Sequence, residues 1–89
     1  MSKPIQFPAK FQFEFPPEIQ TQREPLLDAV RHAMFHGELA EVQDVLRRMA
    51  DWLAEHPEDY AIWDAGSDLT RLEEAILRTQ EAEAAAAAN

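Results

Sequence analysis

Cysteine is absent from the 89 residues, and glycine occurs only twice, at Gly37 and Gly66. Without thiols the chain has no disulfide staple, no cysteine-based zinc site and no thiol nucleophile, which fits a reducing compartment. Two isolated glycines cannot make a glycine-rich phosphate loop. Ser2 and Ser67 are the only serines, one near the start and one in a helix-capping context, so nucleophilic hydroxyl chemistry has little to use. No segment approaches the roughly 20 apolar residues of a membrane span. The opening residues, MSKPIQFPAK, contain no apolar run that would serve as a signal peptide. A soluble, cytoplasmic protein is the expectation, and at this length it is one domain with a modest core.

Basic residues are also scarce, eight against seventeen carboxylates, giving a formal charge of −9. The excess is not spread evenly. Residues 1–36 balance Lys3, Lys10, Arg23 and Arg31 against Glu14, Glu18, Glu24 and Asp28, whereas residues 37–89 set four arginines against thirteen carboxylates. Phosphate backbones are bound by lysine and arginine that displace counterions, so an acidic body argues against direct nucleic-acid binding and against anionic membranes. Such charge keeps a protein soluble, and it can also imitate a polyanion.

What is present divides into an arm and a body. Residues 1–17 carry prolines at 4, 8, 16 and 17, and within them Phe11-Gln12-Phe13-Glu14-Phe15 alternates aromatic and polar residues. Period-two alternation is the pattern of a half-buried strand, and it occurs nowhere else in the chain. Phe7 shares the parity of Phe11, Phe13 and Phe15. Pro8 cannot donate to a sheet ladder, so a strand here is an edge or is broken into 5–7 and 10–15. A single strand has no partner within a helical sequence. It pairs with another chain, or its phenylalanines lie over the chain's own helices.

The body, residues 18–80, reads as helices. A first helix is expected over about 22–36, from a Thr21–Glu24 capping box and Pro25 to Gly37, with Leu26, Val30, Ala33 and Met34 as its stripe, widened by Leu27 and Phe35. A second has the seam Leu39, Val42, Leu46, Met49 and Leu53, flanked by Val45, Ala50 and Trp52. A short helix over about 57–65 follows, stopped by Gly66, and Ser67 or Asp68 then caps a last helix with Leu69, Leu72 and Ile76 inside. Residues 81–89, Glu-Ala-Glu followed by alanines, continue that helix with fraying or are disordered. The predicted fold is mainly α: a small bundle of three main helices plus one short helix, preceded by an extended N-terminal arm with one strand. The tetratricopeptide spacing of Trp, Gly, Tyr, Ala and Pro is not reproduced, so no solenoid is expected.

Three sets of side chains are candidates for function. His32 and His36, four apart on a helix, share a face and could ligate a metal with Glu38, Glu41 or His56, but surface histidines are the commoner outcome and no metal or other cofactor is expected. No pair of carboxylates is marked as facing across a pocket, so an enzyme is not expected. Trp52 flanks the second seam and belongs to the core. Trp63 cannot face the same way as its neighbour Ile62, which marks it for exposure and contact.

These observations favour a non-catalytic protein-interaction or assembly subunit. Its aromatic strand would pair with a protein partner or a second copy by β-augmentation, making a homo- or hetero-oligomer. The expected partner-binding residues are Phe7, Phe11, Phe13, Phe15 and Trp63. The alternative is an acidic inhibitor of the antitoxin, immunity or nucleic-acid-mimic type, covering a basic site on an enzyme with carboxylates of residues 38–83.

Overall fold

The computed structural model describes residues 15–88 and contains α1 (Pro17–His36), α2 (Leu39–Glu55) and α3 (Tyr60–Ala88). Among the described residues there is no strand. The expected strand lies outside them, apart from its last residue, Phe15.

Helix α1 begins five residues earlier than the capping box implies. Pro16 holds the extended angles φ −53° and ψ 151°, and Pro17 is the first helical residue, where a missing N–H costs nothing. The Gln20 N–H then donates to the Pro16 carbonyl at 2.9 Å. Thr21 is inside the helix, and its hydroxyl donates back to the Pro17 carbonyl instead of capping. Pro25 also lies within the helix, on its exposed side. At the other end Gly37 terminates α1 as expected, at φ 63° and ψ 29°, with its N–H on the Ala33 carbonyl at 2.9 Å. That left-handed conformation is open to glycine and strained for residues with a Cβ.

The core joins Leu26, Val30 and Ala33 of α1 to Val42, Val45 and Met49 of α2 and to Ile62 and Leu69 of α3. Leu27, Leu46, Trp52, Leu53, Leu72 and Ile76 are partly buried against it. Each fully buried large aliphatic side chain contributes about 1.5–3 kcal/mol relative to its exposed state, and this apolar stripe is what holds three amphipathic helices together. Met34 and Phe35, expected to extend the α1 stripe, are exposed, Phe35 by 87%. The stripe advances 26, 30, 33 and would next reach 37. At roughly 100° per residue, Phe35 is turned about 200° from Ala33, to the far side of the helix.

The expected short helix and last helix are one element. Helix α3 runs without interruption through Gly66, so the bundle has three helices and Gly66 is not a stop. Gly66 faces α2, where a built Cβ would meet Met49 Cε at 3.6 Å. The Thr70 hydroxyl donates to the Gly66 carbonyl at 2.8 Å, and the Ser67 hydroxyl donates to the Trp63 carbonyl instead of capping a new helix. An interior glycine costs about 1 kcal/mol against alanine, less than the burial of Ile62 and Leu69 on either side returns. At 1.5 Å per residue, α3 is about 43 Å long and α2 about 25 Å, so the alanine-rich turns of α3 extend beyond the hairpin.

The two glycines therefore respond oppositely to a methyl group. Gly66→Ala fits an ordinary van der Waals space in a helix and is expected to stabilise the fold by about 0.5–1 kcal/mol. Gly37→Ala forces a Cβ into the left-handed region and is expected to destabilise by about 1 kcal/mol or more. Thermal unfolding checks both, since 1 kcal/mol moves Tm by roughly 4–8 °C in a domain this size. A lowered Tm for Gly66→Ala would mean that the side of α3 facing α2 is more tightly packed than the 3.6 Å contact implies.

Candidate functional site

Asp59 is the one buried charged residue among those described, only 3% exposed. It immediately precedes Tyr60, the first residue of α3, so it occupies the N-cap position, and its Oδ1 accepts from the Ile62 N–H at 3.4 Å. That contact is long; the stronger ones come from other helices. Arg23 of α1 meets the carboxylate in a fork, Nε to Oδ2 at 2.7 Å and Nη2 to Oδ1 at 3.1 Å. Trp52 of α2 donates its indole N–H to Oδ2 at 2.9 Å. A buried carboxylate is tolerated only when its lone pairs are matched, and here an arginine, an indole and the start of a helix match them.

Phe15 closes over this cluster. Its ring meets Trp52 edge-on at 6.1 Å and His56 edge-on at 5.7 Å, and the Arg23 guanidinium lies 5.5 Å from its centroid. Trp52 and His56 themselves approach within 4.2 Å. Edge-to-face rings and a cation over a ring are each worth about 0.5–1.5 kcal/mol beyond area burial. The root of the aromatic arm is thus seated on the body at the end where α2 turns into α3. Phe7, Phe11 and Phe13 lie outside the described residues.

Trp63, the other expected contact residue, is half exposed, with its indole N–H on the Pro57 carbonyl at 3.0 Å. It stands beside an open groove of about 770 Å³ between α2 and α3, walled by Leu46, Ala50, Leu53 and Ala54 on one side and by Gly66 and Trp63 on the other. A second, smaller crevice of about 280 Å³ lies between α1 and α2, lined by Gln22, Pro25, Arg48 and Trp52 among others. The two openings share no lining residue, so they lie on different flanks of α2. Phe15 belongs to the α1–α2 flank, through Trp52.

The histidine pair is adjacent in space, with ring centroids 4.0 Å apart, and His32 Nδ1 is hydrogen-bonded to Glu41. His56 lies tilted against Trp52 and meets Phe15 edge-on, near the opposite end of α2 from Glu41. Among the described residues, no group of three or more histidine, aspartate or glutamate side chains is placed to hold a metal ion. The structure brings together Phe15, Arg23, Trp52, His56 and Asp59, of which sequence reasoning named Phe15 as a partner contact, His56 as a possible third metal ligand and Trp52 as core. The cap position before the Ile62 stripe could have marked Asp59; nothing local marks Arg23 as its partner.

Comparison with known protein families, with characterised proteins and with solved structures yields no match.

The Asp59 cluster predicts two stability changes of different size. Asp59→Ala leaves the Arg23 guanidinium, 15% exposed, and the Trp52 N–H without their acceptor, and is expected to cost about 3–5 kcal/mol. Phe15→Ala removes only the cover and is expected to cost about 1–2 kcal/mol. Urea unfolding measures both; equal midpoints for wild type and Asp59→Ala would show that the cluster does not hold the helices in register.

Proposed function

We propose that this chain is a non-catalytic protein-interaction subunit whose aromatic N-terminal segment docks on another polypeptide. The observation that carries this reading is the seat of Phe15. Arg23, Trp52 and His56 fix the last residue of the segment on the body, and the rigid Pro16-Pro17 step begins α1 directly behind it. A binding segment anchored at one end loses less freedom on docking than one attached through a flexible linker, and the saving appears as affinity. Phe11 and Phe13 continue the alternation beyond that anchor and supply large apolar area at two-residue spacing. Strand addition, in which main-chain bonds give affinity and alternate side chains give selectivity, suits such a segment.

No helix among the described residues is long and apolar enough to cross a membrane. Trp63 and the open α2–α3 face provide a second surface of the kind that dominates interfaces, an aromatic side chain beside an apolar groove.

Light scattering on the full chain tests the reading. The native mass is expected to exceed that of a single chain and to fall to it when Phe11→Ser and Phe13→Ser are introduced together. Raising salt to ~1 M, where the screening length is about 3 Å, is expected to leave the larger mass intact. Association that is lost with salt but retained by the Phe11→Ser, Phe13→Ser variant would instead indicate contact through the carboxylates of residues 38–83. A single-chain mass for the unaltered protein, or an equal mass for the double variant, overturns the proposal.

A further inference from the structure

Resting on that reading, we infer that the α2–α3 groove is the socket for the arm of a second copy, so that Phe11 and Phe13 of each chain enter the groove of the other. Three observations on the molecule lead there.

The first is chain geometry. Phe15 is seated on the α1–α2 flank of the body, while the groove opens on the α2–α3 flank, with α2 between them. Residues 9–15, Ala-Lys-Phe-Gln-Phe-Glu-Phe, contain no glycine, proline, asparagine, aspartate or serine, the residues that reverse a chain. Phe15 also precedes Pro16, which restricts it to extended angles. A run without turn residues favours extended backbone from Phe11 to the anchor, so we take the groove of a neighbouring copy, not the chain's own, as the destination. At about 3.3 Å per residue, residues 1–14 nonetheless span up to about 46 Å, ample for a neighbouring copy.

The second is the shape of the groove. Leu46, Ala50, Leu53 and Gly66 give it an aliphatic lining beside Trp63, and Arg71 and Glu74 add one charge of each sign. About 770 Å³ lies within the usual range for a binding cleft. Leu46 and Leu53 are seven residues apart, about 10 Å along α2, and Phe11 and Phe13 are about 7 Å apart on one face of an extended segment. Two phenyl rings therefore fit along the floor.

The third is charge. Both lysines of the chain, Lys3 and Lys10, are in the arm, which carries Glu14 as its single carboxylate. The receiving body holds thirteen carboxylates against four arginines; at the groove itself Arg71 and Glu74 offset one another, so the attraction is that of the body as a whole. The acidic body repels another acidic body and admits a weakly basic segment. Plug and socket are parts of one sequence, so a two-fold dimer satisfies both arms at once.

The absence of native cysteine gives a direct test. A full-length chain carrying Phe13→Cys is mixed with one carrying Ala54→Cys and oxidised; a disulfide-linked heterodimer is the expected product. In parallel, Ala50→Trp, an exposed helical position on the groove wall, fills the socket and is expected to reduce the native mass to that of one chain, with helix content unchanged by circular dichroism. If Phe11→Ser with Phe13→Ser abolishes association but Ala50→Trp does not, the arm still binds another chain and the groove is not its socket. If a chain bearing both cysteines closes on itself at high dilution and the mixed pair does not cross-link, the arm occupies its own groove and the second-copy occupant is overturned. A wild-type mass of one chain overturns this inference and the proposed function together.

Discussion

The rest of the structure depends on one buried carboxylate. Asp59 accepts from Arg23 on α1, from Trp52 on α2 and from the first turn of α3, so one side chain meets all three helices at one end of the bundle. Apolar stripes alone tolerate sliding, because hydrophobic burial is nondirectional and a stripe shifted by a turn still buries area. A forked arginine–carboxylate pair does not tolerate sliding. A shift of one turn, about 5.4 Å, would leave a guanidinium and a carboxylate buried without partners. With eight buried apolar residues among those described, that penalty is large compared with what packing can restore. The ion pair is best understood as fixing register, with the stripe supplying the driving force.

The same cluster decides where the arm leaves the body. Asp59 holds the Arg23 guanidinium that lies over the Phe15 ring, and Trp52 meets Phe15 in an edge-to-face arrangement while donating to Asp59. The chain of dependence therefore runs from a helix cap to an ion pair, from the ion pair to an aromatic seat, and from the seat to the exit of the segment bearing Phe11 and Phe13. The opposite end of the bundle lacks this organisation. There α1 ends at Gly37, Phe35 is exposed beside His36, and the His32–Glu41 bond joins α1 to α2 at the surface.

Much of the body was legible in sequence because periodicity reports burial. Leu26, Val30, Ala33, Val42 and Met49 of the expected stripes are core in the fold, Val45, expected as a flank, is buried more deeply than the seam residues Leu46 and Leu53, and Trp63 could be read as outward from the inward Ile62 beside it. The two glycines show where legibility ends. Glycine permits a left-handed stop without requiring one: Gly37 takes it, whereas Gly66 stays helical because Ile62 and Leu69 on both sides are buried together. Pro25 misled in the same way, since Pro16 and Pro17 had already provided a helix start upstream. Arg23 and Asp59 are separated by 36 residues, and no local pattern encodes a contact that exists only after α1 and the α2–α3 turn are folded together.

Acidity and aromaticity are partitioned along this chain in a way that constrains how it can associate. Two bodies, each carrying the charge excess of residues 37–89, repel one another, and the repulsion is largest when helical faces approach directly. An arm that is nearly neutral and apolar on one face can bridge that distance while the bodies stay apart. On the proposed reading, the α2–α3 groove, lined mainly by Leu46, Ala50, Leu53 and Gly66 with Arg71 and Glu74 beside them, would admit a narrow segment while the surrounding carboxylates disfavour a second acidic body. Selectivity arises here from what is kept out as much as from what fits. On the proposed reading, the charge excess of residues 37–89 is what leaves the nearly neutral arm as the route of assembly.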